Sequence, residues 1–256
     1  MMASKIILRS IQINFPRQQD FILRVKQSIL NFFNKPHEEA FGAIKLFDQQ
    51  TEKLFLDIGS NRGQSINSMR LFSDDKTKII AFEANPELSE KLVKRYEKED
   101  SILIHNYGLS SQEGNLELHI PFYKNWMFDG LASFNGNAAR GWLKNNILFF
   151  KDKFLTIKRV PCMLRKLDDF DLKPYFIKID VENYEEEVIK GAVNTIKENL
   201  PVLLIESLTE SAIELLTDLG YHYFVFQKGS FIPREPGYNT FCLNPERHKQ
   251  IINPMI

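Results

Sequence analysis

The chain has little with which to staple itself together or to cross a bilayer. Its 256 residues include only two cysteines, Cys162 and Cys242, far apart and without a Cys-x-x-Cys partner. That excludes a disulfide framework and a structural zinc site built on thiolates, and two reduced thiols suit a cytoplasm. No apolar run approaches the roughly 20 residues of a membrane span. At residues 1–10, Lys5 and Arg9 surround Ile6, Ile7 and Leu8. That stretch is too short for a signal-peptide core, and no small-residue cleavage site follows it. Net charge is missing too: 33 Lys and Arg balance 33 Asp and Glu. Nothing in the total draws the protein toward nucleic acid or an anionic membrane. Internal repeats, low-complexity tracts and a clear interdomain linker are also lacking. The expectation is a cytoplasmic protein with no nucleic-acid partner and no integral membrane segment.

What is present is apolar material. Hydrophobic residues make up 43% of the chain, including 21 Phe, enough for one large α/β domain with an attached arm. Residues 1–50 read as that arm, and residues 51–256 as the main domain. In the arm Phe21, Ile22, Val25, Ile29, Phe32 and Phe33 recur at roughly helical spacing, with Arg24, Lys26 and Gln27 between them. The expected role of this stripe is to pack on the main domain or on a second copy, giving a homo-oligomer through the arm. A membrane surface or a partner helix is the alternative.

From Lys53 onward, strands and helices alternate. Strands are expected at 54–58, 78–83, 102–105, 175–180, 202–206, 221–226 and 240–243, and helices at 63–72, 87–98, 185–198 and 210–219. This is the pattern of a doubly wound, mostly parallel sheet. The block 106–170 breaks the rhythm. Residues 116–120 and 156–160 alternate like exposed strands, and an insertion at 121–155 lies between the flanking elements. Within it the polar, aromatic stretch from Phe122 to Asn146 is long enough to be functional or mobile. Trp126, Phe128, Phe134 and Trp142 could stack on a sugar as an acceptor lid, or form a satellite aromatic core.

The chemistry starts at the first strand. Leu54 to Ile58 is apolar except for Asp57 and runs into Gly59-Ser60-Asn61-Arg62-Gly63. Two glycines let the backbone turn sharply and approach a ligand. The helix that follows aims its N-terminal amides at the same place, which favours a carboxylate or phosphate. The second strand, Ile79 to Phe82, ends in Glu83, which can accept both hydroxyls of a ribose. Together these suit a nucleoside cofactor across the carboxyl ends of a parallel sheet. The loop is not Gly-x-Gly-x-x-Gly, and Asp57 would repel a pyrophosphate. An acid there suits a ligand with an ammonium group, favouring S-adenosyl-L-methionine over NAD. Further on, Lys178, Asp180 and Glu182 alternate along a strand and share a face if it is regular. A charge inside a sheet needs a partner, and Glu206 at the end of the neighbouring strand is the candidate for Lys178.

These blocks resemble the FkbM family of S-adenosylmethionine-dependent methyltransferases. The resemblance covers about residues 53–243. It is carried by Asp57 to Gly63 and by Ala81-Phe82-Glu83-Ala84-Asn85-Pro86. Further blocks are Tyr107-Gly108-Leu109-Ser110 with Gly114, Leu167-Asp168-Asp169, Ile177 through Glu185, Val188 to Ala192, and the strand from Pro201 to Glu206. Their order and spacing make the match specific. Asn183 stands where the family usually has Gly, and Ala84 where it usually has Pro. The resemblance implies a Rossmann-like class I methyltransferase fold with a seven-stranded sheet whose last strand is antiparallel. It implies methyl transfer, usually to a hydroxyl of a saccharide or secondary metabolite.

By that analogy Asp57, Gly59, Ser60, Asn61 and Gly63 hold the methionine part. Glu83 takes the ribose, Ala84 flanks the adenine, and the Gly108–Leu109 turn closes over it. Asp180 lies near the donor's amine or the acceptor. Asp180 or Glu182 is the expected base or metal ligand, oriented by Lys178 and Glu206, with His105 and His119 as alternatives. No dedicated metal site is expected. An NAD-dependent oxidoreductase and a binding protein that has lost catalysis are the competing readings.

Overall fold

Helices cover the first strand on both faces, and the rest of the molecule is arranged around it. The computed structural model describes residues 2–47, 52–134 and 138–252. The arm–domain boundary at 50/51 lies outside the described residues. The arm consists of helices α1 (Met2–Gln12) and α2 (Gln19–Phe32) and a 3-10 segment, Glu39–Leu46. Strand β1 (Leu54–Ile58) leads into α3 (Gln64–Phe72), β2 (Lys78–Phe82) into α4 (Pro86–Tyr96), and β3 (Ile102–His105) follows. Helix α4 starts where Asn85 Oδ1 accepts the Glu87 N–H at 3.1 Å and Pro86 occupies the first turn, where its missing N–H costs nothing.

A second sheet follows, from β4 (Gly108–Leu109), β5 (Gly114–Tyr123), β6 (Trp126–Met127) and, after α5 (Ala138–Asn146), β7 (Leu155–Arg165). The chain then re-enters the main sheet through β8 (Phe176–Ile179), α6 (Glu185–Lys190), α7 (Val193–Asn199) and β9 (Val202–Ile205). It continues with α8 (Glu210–Asp218), β10 (His222–Gln227), β11 (Ser230–Pro233), β12 (Thr240–Leu243) and α9 (Lys249–Ile252).

The main sheet has eight strands in the order β11-β10-β12-β9-β8-β1-β2-β3. Strands β3, β2, β1, β8 and β9 are mutually parallel, and β12 runs antiparallel between β9 and β10. All seven expected strands form, in the order of a class I methyltransferase fold with its antiparallel last strand. Every residue of β8, β9 and β12 is buried, as strands covered on both faces must be.

Three features depart from the sequence expectation. Strand β11 is an extra edge strand, joined to β10 by Lys228–Gly229, both with positive φ (50° and 83°), the geometry of a two-residue hairpin. The single helix expected at 185–198 is two helices, broken near Gly191. A Cβ on Gly191 would lie 1.9 Å from the Ser110 carbonyl oxygen, so the break falls where only glycine fits against that backbone. The 116–120 and 156–160 segments lie within β5 and β7, which are longer than expected and pair antiparallel from Gly114 opposite Leu164 to Tyr123 opposite Leu155.

The insertion is largely packed. Trp126, Phe128 and Tyr123 join Ile13, Leu143 and Ile147 in a satellite core, so the arm and insertion share apolar packing. Residues 135–137 of the aromatic stretch lie outside the described residues. The α2 stripe does not pack on the domain. Ile22 faces the satellite core, but Phe21, Val25, Ile29, Phe32 and Phe33 are exposed.

Candidate active site

The sheet's chain path reverses between β1 and β8, where open α/β sheets leave a crevice beyond the strand ends. A cavity of about 320 Å³ occupies that crevice. Gly59, Ser60, Asn61, Glu83, Ala84, Gly108 and Leu109 line it, as do Lys178, Asp180 and Glu182. Of the expected site residues, Asp57 and Gly63 do not line it. Asp57 is fully buried behind the wall: Oδ2 accepts the Ser65 hydroxyl at 2.5 Å, while Oδ1 has no hydrogen-bond partner and lies 3.9 Å from Lys178 Nζ. Gly63, at φ 78°, sets the start of α3. The expected Gly108–Leu109 turn is instead the short strand β4, paired parallel with Leu164–Arg165.

The loop after β1 is held by its own hydrogen bonds. Gly59 N–H and Ser60 N–H donate to the Phe82 carbonyl, and Gly63 N–H donates to the Ser60 carbonyl at 2.7 Å. Glu83 accepts the Asn61 N–H at 2.6 Å on one carboxylate oxygen and the Asn85 N–H at 2.8 Å on the other. A carboxylate has about four acceptor sites, so two remain for hydroxyls. Burial pushes the Glu83 carboxyl up to about 7 despite these two amides. Asn61, at φ 49°, has a buried side-chain oxygen with no partner. That orphaned acceptor on the cavity wall, with the free capacity of Glu83, fits a ligand carrying N–H and O–H donors.

The other end of the cavity is anionic. Register places Lys178 opposite Asp57, and its Nζ donates to Asp180 Oδ2 at 2.8 Å. The expected Lys178–Glu206 pair does not form, because β9 register sets Leu204, not Glu206, beside Lys178. Burial acts to lower the Lys178 pKa. Asp180 and then Asp57 more than reverse this and lift its pKa above the ordinary lysine value. For Asp180, burial works upward, but the Lys178 charge and hydrogen bonds from Glu206 and Lys178 leave it below the usual carboxylate range. Glu206 takes the opposite part. Burial first, then its hydrogen bond to Asp180 and that residue's charge, push it up to about 8. Glu182 is pushed up to about 7 by burial, then by Asp180 and Glu185.

The strand ends at Ile179, so Glu182 does not reach the cluster by alternation. It is turned in by left-handed residues, Glu182 at φ 51° and Asn183 at φ 68°, a conformation Asn tolerates better than most. One carboxylate oxygen from each of Asp180, Glu182 and Glu206 lies within 4.8 Å of the others. Three such groups can share protons or a divalent cation.

The arm and insertion complete the enclosure. Arg62 ion-pairs with Asp20 of α2 at 2.6 Å and with Asp129 of the insertion, tying both to the loop after β1. His37, Glu38 and Tyr238 face the acidic end, and Asn239 Nδ2 donates to Glu38 at 2.8 Å. Sequence reasoning missed all three, because they lie in irregular segments with no periodicity. The histidines it named stand elsewhere. His105 stacks between Phe82 and Tyr107, His119 bridges to Ser133, and neither lines the cavity. Of the four candidate stacking aromatics only Phe134 lines the cavity, against Tyr184 with ring centroids 4.7 Å apart. Trp142 sits under Arg9.

The family model for the methyltransferase FkbM domain matches residues 57–223. A hexuronic acid methyltransferase, AglP, from Haloferax volcanii is 25% identical over 154 residues, covering 59% of this chain and 55% of that protein. The chain thus spans about half the length of this curated relative. Among solved structures, an FkbM methyltransferase from Methylobacillus flagellatus overlays at a TM-score of 0.45 with 18% identity, covering 75% of this chain and 43% of that one. A precorrin-6y C5,15-methyltransferase from Geobacter metallireducens gives 0.43 with 15% identity, covering 82% and 89%.

Proposed function

Because the chain belongs to the methyltransferase FkbM domain family, we propose that it is an O-methyltransferase acting on a hydroxyl of a saccharide or related metabolite. The family's methyl donor is S-adenosyl-L-methionine, which supplies a methyl group on a sulfonium leaving group. The observation that carries the reading is the division of the cavity. One end presents unfilled acceptors on Asn61 and Glu83; the other holds a proton-sharing acidic cluster. The saccharide acceptor follows the hexuronic acid relative.

Glu83 takes the donor's ribose hydroxyls, Asn61 takes N–H or O–H donors, and Ala84, Gly108 and Leu109 enclose the base. At the acidic end the chain must position an alcohol and accept its proton. Asp180 stays ionised beside Lys178 and orients the hydroxyl. Glu206 receives the proton, because its raised pKa brings it nearest to working pH. Glu182 shares the same proton pool.

Activity should therefore rise with pH. Glu206 is protonated below about 8 and cannot act as a base there, so kcat/KM is expected to climb to a plateau above that value. Glu206→Gln should remove most turnover and flatten this limb. The assay is transfer of labelled methyl from S-adenosylmethionine to a panel of saccharides, uronic acids included, scored for a base-stable methyl ether. A flat profile in the parent protein would remove Glu206 from the reaction. The same raised carboxyls affect stability. Between about 4.5, where unfolded Glu loses its proton, and 7 to 8, where Glu83, Glu182 and Glu206 do so in the fold, the folded state binds more protons. Their contribution therefore lowers stability as pH rises through that window.

A further inference from the structure

The large exposed apolar side chains are concentrated in two stretches of the chain. On α2 they are Phe21, Val25, Ile29 and Phe32, at i, i+4, i+8 and i+11, with Phe33 just beyond; Phe32 is 81% exposed. On α1 and the turn after it they are Ile7, Leu8, Ile11 and Phe15. The second stretch is the turn after α5, with Leu148 and the 90% exposed Phe149. Helix α1 and the turn after α5 meet in space. Leu148 N–H donates to Ser10 Oγ at 2.9 Å, and Arg9 donates to Asn146 Oδ1 at 3.1 Å. Phe149 sits at φ 53°, where an aromatic residue is strained. The turn thus holds a whole phenyl ring outward in an unfavourable backbone conformation.

Charge on these stretches is one-sided although the chain is neutral. Residues 1–37 carry six Lys and Arg against Asp20 alone, and residues 138–154 carry four against Asp152 alone. Asp20 is taken by Arg62 and Lys91, and Asp152 by Arg140. Lys5, Arg17, Arg24, Lys26 and Lys35 form no ion pair among the described residues, and neither do Lys144, Lys151 and Lys153. On α2, Arg24 and Lys26 flank the apolar stripe on opposite sides. Beyond Arg24 runs a groove of about 640 Å³ that also exposes Lys91, Lys94 and Arg95 of α4.

We propose that α1, α2 and the Leu148–Phe149 turn form one docking surface for an anionic lipid bilayer. Such a surface takes apolar side chains into its interfacial layer and cations at its headgroups together. A symmetric contact with a second copy would set the two cationic arms against each other. The lipid surface does the reverse. No described helix is long and apolar enough to cross a membrane, so the contact is peripheral. The other side of α2 supplies Leu23 to the site cavity and Asp20 to Arg62, so the helix stands between the proposed docking face and the site. This inference does not depend on the methyl acceptor.

The test is sedimentation of the full chain with phosphatidylcholine vesicles and with mixed phosphatidylcholine–phosphatidylglycerol vesicles. Binding is expected to the mixed vesicles only, and is expected to be lost at about 0.5 M salt. Phe32→Ser with Phe149→Ser should lower the partition coefficient at least about tenfold. Arg24→Glu with Lys26→Glu should do the same. If the apolar variant fails to fold, the charge variant and the salt titration of the parent protein decide. Absence of binding to mixed vesicles overturns the proposal, as does binding that ignores lipid charge and both variants. A concentration-dependent dimer that does not bind vesicles would assign the surface to a second copy instead.

Discussion

A Gly59→Ala variant is expected to bind no S-adenosylhomocysteine and to unfold at markedly lower denaturant than the parent. Gly59 stands at φ 83°, where a Cβ is disfavoured for any L residue. The neighbourhood is worse than the torsion. An added Cβ would lie 1.8 Å from the Asp180 carbonyl oxygen and 2.8 Å from its carbonyl carbon. Both are backbone atoms of the segment leaving β8, so no rotamer change relieves the clash. The loop after β1 must move away from β8. That motion pulls on the Asp180 N–H to Ile58 carbonyl bond at 3.0 Å and on the Gly59 and Ser60 bonds to Phe82. Strain plus displaced hydrogen bonds should cost more than about 3 kcal/mol. Urea unfolding and calorimetry check this together. Parental stability with parental affinity would show that the loop does not need this close approach.

Asp180→Asn is expected to leave the fold in place and lower kcat by roughly two to four orders of magnitude. The side chain keeps its size, so the strand ends need not move. What changes is charge. Among the described residues, Lys178 then keeps Asp57, at 3.9 Å, as its anion within ion-pair distance. Burial still raises the Glu206 pKa, but the Asp180 charge that adds to it is gone, so its carboxyl should titrate lower and become a weaker base. The pH limb of any residual activity should shift downward, a readout that a purely structural role for Asp180 would not produce. Full activity in this variant would remove Asp180 from the reaction.

The main sheet was legible because its strands are buried on both faces. The segment Val202–Ile205 is an unbroken apolar run, and Phe176–Ile179 is apolar apart from Lys178, which leaves few alternatives. The loop after β1 was legible because Gly59 and Gly63 occupy backbone conformations that favour glycine, which marks the sequence. Three things were hidden. Edge strand β11 is short, and its only signal is the Lys228–Gly229 turn. The break falls at Gly191, which packs against the backbone of Ser110, a residue no local window contains. The partners of Lys178 depend on register and on the turn after β8: Asp180, two residues on, takes its Nζ at 2.8 Å, β1 brings Asp57 to 3.9 Å, and β9 sets Leu204 rather than Glu206 beside it. His37 and Tyr238 escaped for a related reason, since the irregular segments that carry them reach the cavity only through the tertiary fold. The α2 stripe was correctly read as amphipathic, but helical spacing does not say what covers the apolar face.

Isothermal titration of the parent protein with S-adenosylhomocysteine at about pH 8, beside Glu83→Gln and beside NAD, tests the central claim most directly. One site per chain is expected for the nucleoside thioether, at least about tenfold weaker in the Glu83 variant because a neutral amide accepts hydroxyl hydrogen bonds less strongly. Parental affinity should also weaken as pH falls through about 7, where Glu83 gains its proton. NAD should give no heat. Saturable NAD binding with no response to S-adenosylhomocysteine, or equal affinity in the Glu83 variant, would contradict the assignment of this crevice to a sulfonium nucleoside.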